Sequence, residues 1–103
     1  MVKVSVIVPV YNVGPYLREA LESLVNQSLQ DIEIIAVNDG STDNSEDILK
    51  EYQKRDRRVR YVNQENQGQS GARNTGMALC SGEYLYFMDS DDVLDPRALE
   101  ICY

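Results

Sequence analysis

Four short apolar runs, each stopping at polar residues and each followed by helical periodicity, leave this chain few folds. Val2 to Val10 is rich in β-branched residues, is bounded by Pro9 and Asn12, and reads as a buried strand. Ile32 to Val37, the weaker Val59 to Val62, and Glu83 to Met88 read as three more strands. After the first run, Pro15 sits where a first helical turn begins, and Leu17, Leu21, Leu24 and Val25 keep helical spacing through Asn26. A second helix, capped by Asp43, Asn44 or Ser45, carries Ile48, Leu49 and Tyr52. It ends in the basic cluster Lys54-Arg55-Asp56-Arg57-Arg58, where cations are favoured. Asn63 to Gly71 reads as a polar loop, and a small-residue helix runs from about Ser70 to Leu79 until Ser81-Gly82 stops it. Asp95-Pro96 opens a last helix. Such alternation predicts an α/β, three-layer, open parallel sheet with right-handed crossovers; strand order 3-2-1-4 is the arrangement expected for it.

The polar residues that end the strands carry the functional signal. In open parallel sheets, ligands bind beyond the carboxyl ends of the strands, where the strand order reverses. Tyr11-Asn12 follow the first strand, Asp39-Gly40-Ser41 the second, and Asp89-Ser90-Asp91-Asp92 the fourth. With order 3-2-1-4, these three segments converge on one edge. The last is the most unusual, because an apolar run stops at three carboxylates within four residues. Asp is depleted in strands, and crowded like charges disfavour ionisation, so folding alone does not call for them. Asp89 and Asp91, two apart in an extended segment, point to one face. Two hard oxygen donors there suit Mg²⁺ or Mn²⁺ shared with substrate phosphates. The plainer alternative is a solvated acidic turn, with Asp92 or Asp95 capping the next helix.

Composition narrows the classes. The chain has 103 residues, enough for one domain or part of one. Its net charge of −7 argues against nucleic acid as a partner. An anionic ligand would need a cation or backbone dipoles beside it. Without histidine, neither a His-ligated zinc site nor a Ser-His-Asp triad can form within this chain. Cys80 and Cys102 lie in apolar helical patterns and read as buried free thiols. No targeting segment is visible, and Val4 to Val10 is too short to span a membrane, so a cytoplasmic location is expected, or the cytoplasmic face of a membrane. The G-x-G-x-x-G and G-x-x-x-x-G-K-[ST] phosphate loops are both absent; Tyr11-Asn12-Val13-Gly14-Pro15 stands after the first strand.

Four segments, in this order and spacing, resemble family-2 glycosyltransferases. They are Val4-Ser5-Val6-Ile7-Val8-Pro9-Val10-Tyr11-Asn12; Val37-Asn38-Asp39-Gly40-Ser41-Thr42-Asp43-Asn44-Ser45; Asn66-Gln67-Gly68-Gln69-Ser70-Gly71-Ala72-Arg73-Asn74-Thr75-Gly76; and Met88-Asp89-Ser90-Asp91-Asp92. The resemblance covers almost the whole chain and implies a Rossmann-like fold of the A-type nucleotide-diphospho-sugar transferase class. Residues 1–103 would be its N-terminal, donor-binding part. The implied reaction moves a sugar from a nucleoside diphosphate, most simply a UDP-sugar, to a carbohydrate or lipid-linked acceptor, with inversion at the anomeric carbon and Mg²⁺ or Mn²⁺ as cofactor.

The resemblance also implies roles. Tyr11 would neighbour the base, or else pack at the sheet edge. Asp39 would read the base edge, a role compatible with an Asx turn at Gly40. Pro9, Asn12 and Ser90 stand in the same motifs and belong to the same nucleotide-binding set. Gly68, Gly71 and Gly76 would admit close backbone approach at a helix start, where anions are favoured. Arg73 would face the diphosphate or pair with Asp89 or Asp91. Asp91 would ligate the metal with Asp89 in support, and Asp92 would cap the turn. The catalytic base is expected on an Asp outside these residues, so this chain alone is expected to bind donor without turnover and to self-associate through its fourth strand. Two other classes share parts of this pattern: a non-catalytic nucleotide-binding module, and a nucleotidyltransferase that makes sugar nucleotides. The latter usually carries a Gly-rich basic loop after the first strand, which Tyr11 to Pro15 is not.

Overall fold

The computed structural model describes residues 2–102, apart from the side chain of Cys102; the expectation of a buried thiol there lies outside the described residues. The elements run β1 (Val4–Val10), α1 (Gly14–Val25), β2 (Ile32–Asp39), α2 (Ser45–Arg55), β3 (Val59–Gln64), α3 (Gly68–Leu79), β4 (Tyr84–Phe87) and α4 (Ala98–Cys102). The strands form one parallel sheet in the expected order, β3-β2-β1-β4.

Side-chain alternation along β1 and β2 divides the core into two layers. Val4, Val6, Val8 and Val10, with Ile32, Ile34 and Ala36, pack under Leu17, Leu21, Leu24, Ile48 and Leu49 of α1 and α2. Ile35 and Val37 pack on the other face under Ala72 of α3. A Cβ on Gly76 would collide with Ile7 Cγ2, so this glycine lets α3 lie almost on β1. That approach brings the start of α3 to the carboxyl end of the sheet.

Some boundaries differ from the sequence expectation, for identifiable reasons. Asn63 and Gln64 extend β3 instead of opening the loop, because each has a cross-strand partner. Asn38 Nδ2 donates to Asn63 Oδ1 at 2.9 Å, and Gln64 Nε2 donates to Asp39 Oδ1 at 2.9 Å. At the start of α2, Asn44 makes no capping bond. Asp43 supplies it, accepting from the N–H of Ser45 at 2.9 Å and, through its other oxygen, from the N–H of Gly14 at 3.0 Å. One carboxylate thus ties the starts of two helices, where the backbone dipoles favour it. Cys80 is not buried in a helix: it follows α3 with an extended backbone, is half-buried, and its thiol donates to the Met77 carbonyl at 3.0 Å. β4 is an edge strand with Leu85 and Phe87 exposed. Among the described residues, no helix is long and apolar enough to cross a membrane.

The amino end of the sheet holds a buried carboxylate. Glu33 Oε2 accepts from Ser5 Oγ at 2.7 Å, from the Ser81 N–H at 2.6 Å and from Ser81 Oγ at 2.8 Å, while Arg60 stands 3.3 Å from Oε1. Burial opposes its ionisation, but the Ser5 and Ser81 hydrogen bonds and the Arg60 charge outweigh burial and hold the group below the usual glutamate range. These bonds staple β1, β2, β3 and the segment before β4. Replacing Glu33 by Ala leaves the buried Ser5 hydroxyl and the partly buried Ser81 donors without this acceptor and should cost about 2–4 kcal/mol in urea unfolding. Since the folded-state pKa lies below the ordinary value of 4.5, the unfolded chain takes up protons first as pH falls. The stabilisation is therefore complete above that value and is lost as pH drops through the folded one. The urea-midpoint gap between wild type and Glu33→Gln should accordingly narrow on acidification; a gap independent of pH would contradict this assignment.

Candidate functional site

The carboxyl ends of β1, β2 and β4 and the start of α3 enclose a cavity of about 550 Å³. Its walls include Pro9 and Tyr11 after β1, Asp39 at the end of β2, Gly68 and Gln69 at the start of α3, and Asp89, Ser90 and Asp91 after β4. Most of the residues that the motifs single out therefore meet in one place.

Strand pairing explains why a space opens there. The Ile7 carbonyl accepts from the Met88 N–H at 3.0 Å, and the Lys3 carbonyl from the Tyr84 N–H at 3.0 Å. Odd-numbered residues of β1 thus face β4. Residue 9 is next in that series, and as proline it has no N–H to give. The β1–β4 register ends at Ile7↔Phe87, and the two chains part around the cavity.

Each wall has its own support. Tyr11 is 50% exposed and lines the cavity. Asn12 does not line the cavity. It takes a left-handed backbone (φ 50°), which Asn tolerates, accepts from the Thr42 N–H at 2.8 Å, and offers its own N–H to Ser41 Oγ at 3.0 Å. It clamps the loop after β1 to the loop after β2. Asp39 is 4% exposed. Its Oδ1 accepts from Gln64 Nε2 at 2.9 Å and from the Gln67 N–H at 2.8 Å, whereas Oδ2 takes none of the described hydrogen bonds. The Asx-type bond at this turn belongs to Asn38, whose Oδ1 accepts from the Ser41 N–H at 3.3 Å. Gly68 has φ 79°, and a Cβ there would meet nothing within 4 Å, so its backbone faces open space. Arg73 makes no described ion pair with Asp89 or Asp91. It is not among the cavity-lining residues, and its guanidinium lies over the Phe87 ring, 5.6 Å from the centroid.

The acidic segment is compact. Asp89, Asp91 and Asp92 each place one carboxylate oxygen within 4.8 Å of the others, and all three are exposed. The Asp92 N–H donates to the Asp89 carbonyl at 3.1 Å, closing a turn that gathers them. Gln69 Nε2 stands 3.3 Å from Asp89 Oδ1. None of the three belongs to a described ion pair. Three hard oxygen donors without a neighbouring cation fit Mg²⁺ or Mn²⁺.

Residues 5–103 match the model of the family described as Glycosyl transferase family 2. The chain belongs to that family. It is 52% identical over 101 residues to glycosyltransferase GlyA of Streptococcus pneumoniae serotype 4, covering 98% of this chain and 14% of GlyA. It is 53% identical over 89 residues to the uncharacterized glycosyltransferase EpsJ of Bacillus subtilis, covering 86% of this chain and 26% of EpsJ. The crystal structure of S. aureus TarS 1–349 superposes with a TM-score of 0.89 at 33% identity, over 97% of this chain and 31% of that one. The TarS 1–349 complex with UDP-GlcNAc gives 0.81 at 32% identity, over 97% and 30%. Mannosyltransferase PcManGT from Pyrobaculum calidifontis, in complex with GDP-Man and Mn²⁺, gives 0.81 at 26% identity, over 92% and 29%. This family-2 chain thus spans between 14% and 34% of the length of the first relatives it matches.

The segment that follows the acidic turn is moored to α1. Gln27, 1% exposed, donates through Nε2 to the Asp95 carbonyl at 2.7 Å and accepts the Leu99 N–H at 3.0 Å; Ser23 Oγ accepts the Leu94 N–H at 3.1 Å. The helical pattern gave no sign of this, since Gln27 lies just past the end of α1, where a polar residue is ordinary. Replacing Gln27 by Ala should cost about 2 kcal/mol and loosen residues 93–102 first. Limited proteolysis should cut that segment well before the sheet. Uniform resistance of the variant and wild type would show that the mooring is not needed.

Proposed function

We propose that this chain is the donor-binding part of an enzyme that transfers a sugar from a nucleoside diphosphate to an acceptor hydroxyl. The observation that carries the reading is the convergence of Tyr11, Asp39, Gly68, Asp89 and Asp91 on one cavity at the carboxyl edge of the sheet. Family membership and TarS structures holding UDP and UDP-GlcNAc support it.

In this reading the Tyr11 ring stacks on the base and Asp39 accepts a hydrogen bond from the base edge. The backbone at Gly68, at the start of α3, faces the diphosphate, where the helix dipole favours an anion. Pro9 and Ser90 complete the walls, and Asn12 holds Tyr11 in place from behind. Asp91 and Asp89 are the proposed cation ligands; the PcManGT complex with Mn²⁺ lends support. Held there, a divalent cation offsets the negative charge that develops on the departing nucleoside diphosphate. The acceptor oxygen bonds to the anomeric carbon as the bond to the diphosphate oxygen breaks, and the acceptor proton passes to a base. We assign that base to a carboxylate outside these 103 residues and the stereochemical course to inversion, both on the family resemblance. On the same ground the whole enzyme works in the cytoplasm or at its membrane face.

The test is calorimetric titration with UDP in Mn²⁺ and in EDTA. Wild type should bind at least about tenfold more tightly with the metal, a difference of one tenfold step in Kd. Asp91→Ala should abolish that difference, and superimposable wild-type curves with and without Mn²⁺ would remove the metal assignment. The edge position of β4 generates a separate expectation. Leu85 and Phe87 are exposed beside the strand, which favours strand addition by a second copy. Sedimentation should find dimers or larger species that Leu85→Lys disperses; a wild type that stays monomeric at high concentration overturns the association.

A further inference from the structure

The Asp39 carboxylate is held by a relay of side chains that leads from the cavity into α3. Asp39 and Gln64 stand opposite each other in the parallel register of β2 and β3. Gln64 Nε2 lies 2.9 Å from Asp39 Oδ1, and Thr75 Oγ1 lies 2.6 Å from Gln64 Oε1. The chemistry fixes the direction of each bond. An ionised carboxylate only accepts, so Gln64 turns its NH₂ towards Asp39 and its carbonyl towards Thr75. The single hydroxyl proton of Thr75 then goes to that carbonyl, the nearer acceptor, with the Gly71 carbonyl 3.1 Å away.

The relay limits what Asp39 can offer a ligand. A carboxylate oxygen has two lone-pair sites, and both on Oδ1 are taken, by Gln64 Nε2 and the Gln67 N–H. Asp39 meets the cavity as one acceptor, Oδ2, in a fixed orientation. Bases differ in how many donors they present to such a group. The imide edge of uracil or thymine has one N–H between two carbonyls. Guanine has two adjacent N–H donors, which suit a carboxylate with both oxygens free.

We propose that Gln64, oriented by Thr75, is a positioning residue that restricts Asp39 to a single base N–H and so selects uridine or thymidine diphosphates over guanosine diphosphate. The proposal rests on the donor-binding reading above and adds the source of base selection to it.

Calorimetric titration of the protein with UDP and with GDP, both in Mn²⁺, tests it. Wild type should favour UDP. Gln64→Met keeps the side-chain length and removes both polar atoms. It should compress the UDP:GDP affinity ratio by about tenfold, the scale of one hydrogen bond to a charged group. Thr75→Val leaves Gln64 in place but unoriented and should shift the ratio the same way, whereas Thr75→Ser should keep the wild-type ratio. A merely structural role would weaken both nucleotides alike and leave the ratio unmoved. Circular dichroism checks the fold, and if Gln64→Met does not fold, Thr75→Val decides. An unchanged ratio in a folded variant overturns the relay. Equal wild-type binding of UDP and GDP overturns base selection while leaving the donor site standing. A wild type that binds neither nucleotide overturns the donor reading, and the relay with it.

Discussion

The candidate site exists because β1 cannot continue its ladder with β4. Up to Ile7 the two strands pair, and the Ile7 carbonyl still takes the Met88 N–H. The next donor facing β4 would be the N–H of residue 9, and Pro9 has none. On its other side, β1 goes on pairing with β2 as far as Val10↔Asn38. One face of the strand end is therefore locked while the other is released. The chain after Phe87 leaves the sheet, turns at Asp89 to Asp92, and forms the far wall of the cavity. A residue that removes a hydrogen bond thus opens a crevice without disturbing the central pair.

Electrostatics then determines what such a crevice can hold. The chain carries a net charge of −7 and places Asp89 and Asp91 on the cavity wall, with Asp92 beside them, none in a described ion pair. Arg73, one of whose expected partners was Asp89 or Asp91, lies over Phe87, where ring and guanidinium attract each other. An anionic ligand would meet repulsion from these carboxylates unless a cation stood between them. The start of α3, whose Gln69 lies 3.3 Å from Asp89 Oδ1, contributes partial positive charge to the same cavity. Under the proposed reading, Asp89 and Asp91 would hold a divalent cation that offsets the charge of a diphosphate, and the start of α3 would favour the same anion.

Much of this was legible in the sequence, because the deciding signals were local. β-branched runs, their polar ends and the intervening helical spacing gave the four strands; with the order expected for such a sheet, they gave the edge where Tyr11, Asp39 and Asp89 to Asp91 meet. What escaped depends on pairing between distant residues. Asn63 and Gln64 look like loop residues until Asn38 and Asp39 are placed beside them. Asn12 sits in a binding motif, yet its side chain faces Thr42 and holds two loops together. Arg73 could be assigned only to one of several partners, since a long side chain on a helix can reach in several directions. Glu33 was visible as a carboxylate inside a buried run, and that oddity was the available signal for the network around it.

The face of the sheet under α3 brings these results together. Side-chain alternation puts Ser5 and Glu33 on that face at the amino end, and Asp39 and Gln64 on it at the carboxyl end. Between them lie Ile7, Ile35 and Val37, covered by Ala72 and Gly76. Both ends bury a carboxylate under the same helix, but they satisfy it differently. Glu33 has hydrogen bonds or an ion pair on both oxygens, from Ser5, Ser81 and Arg60. Asp39 has Oδ1 filled and Oδ2 left over. A buried polar group whose capacity is filled holds a fold together, and one with capacity left over is available to a ligand. That difference separates a saturated carboxylate at the amino end of the sheet from one at the carboxyl end that still has an acceptor to offer. The apolar span between them lets a substitution at one carboxylate leave the other undisturbed.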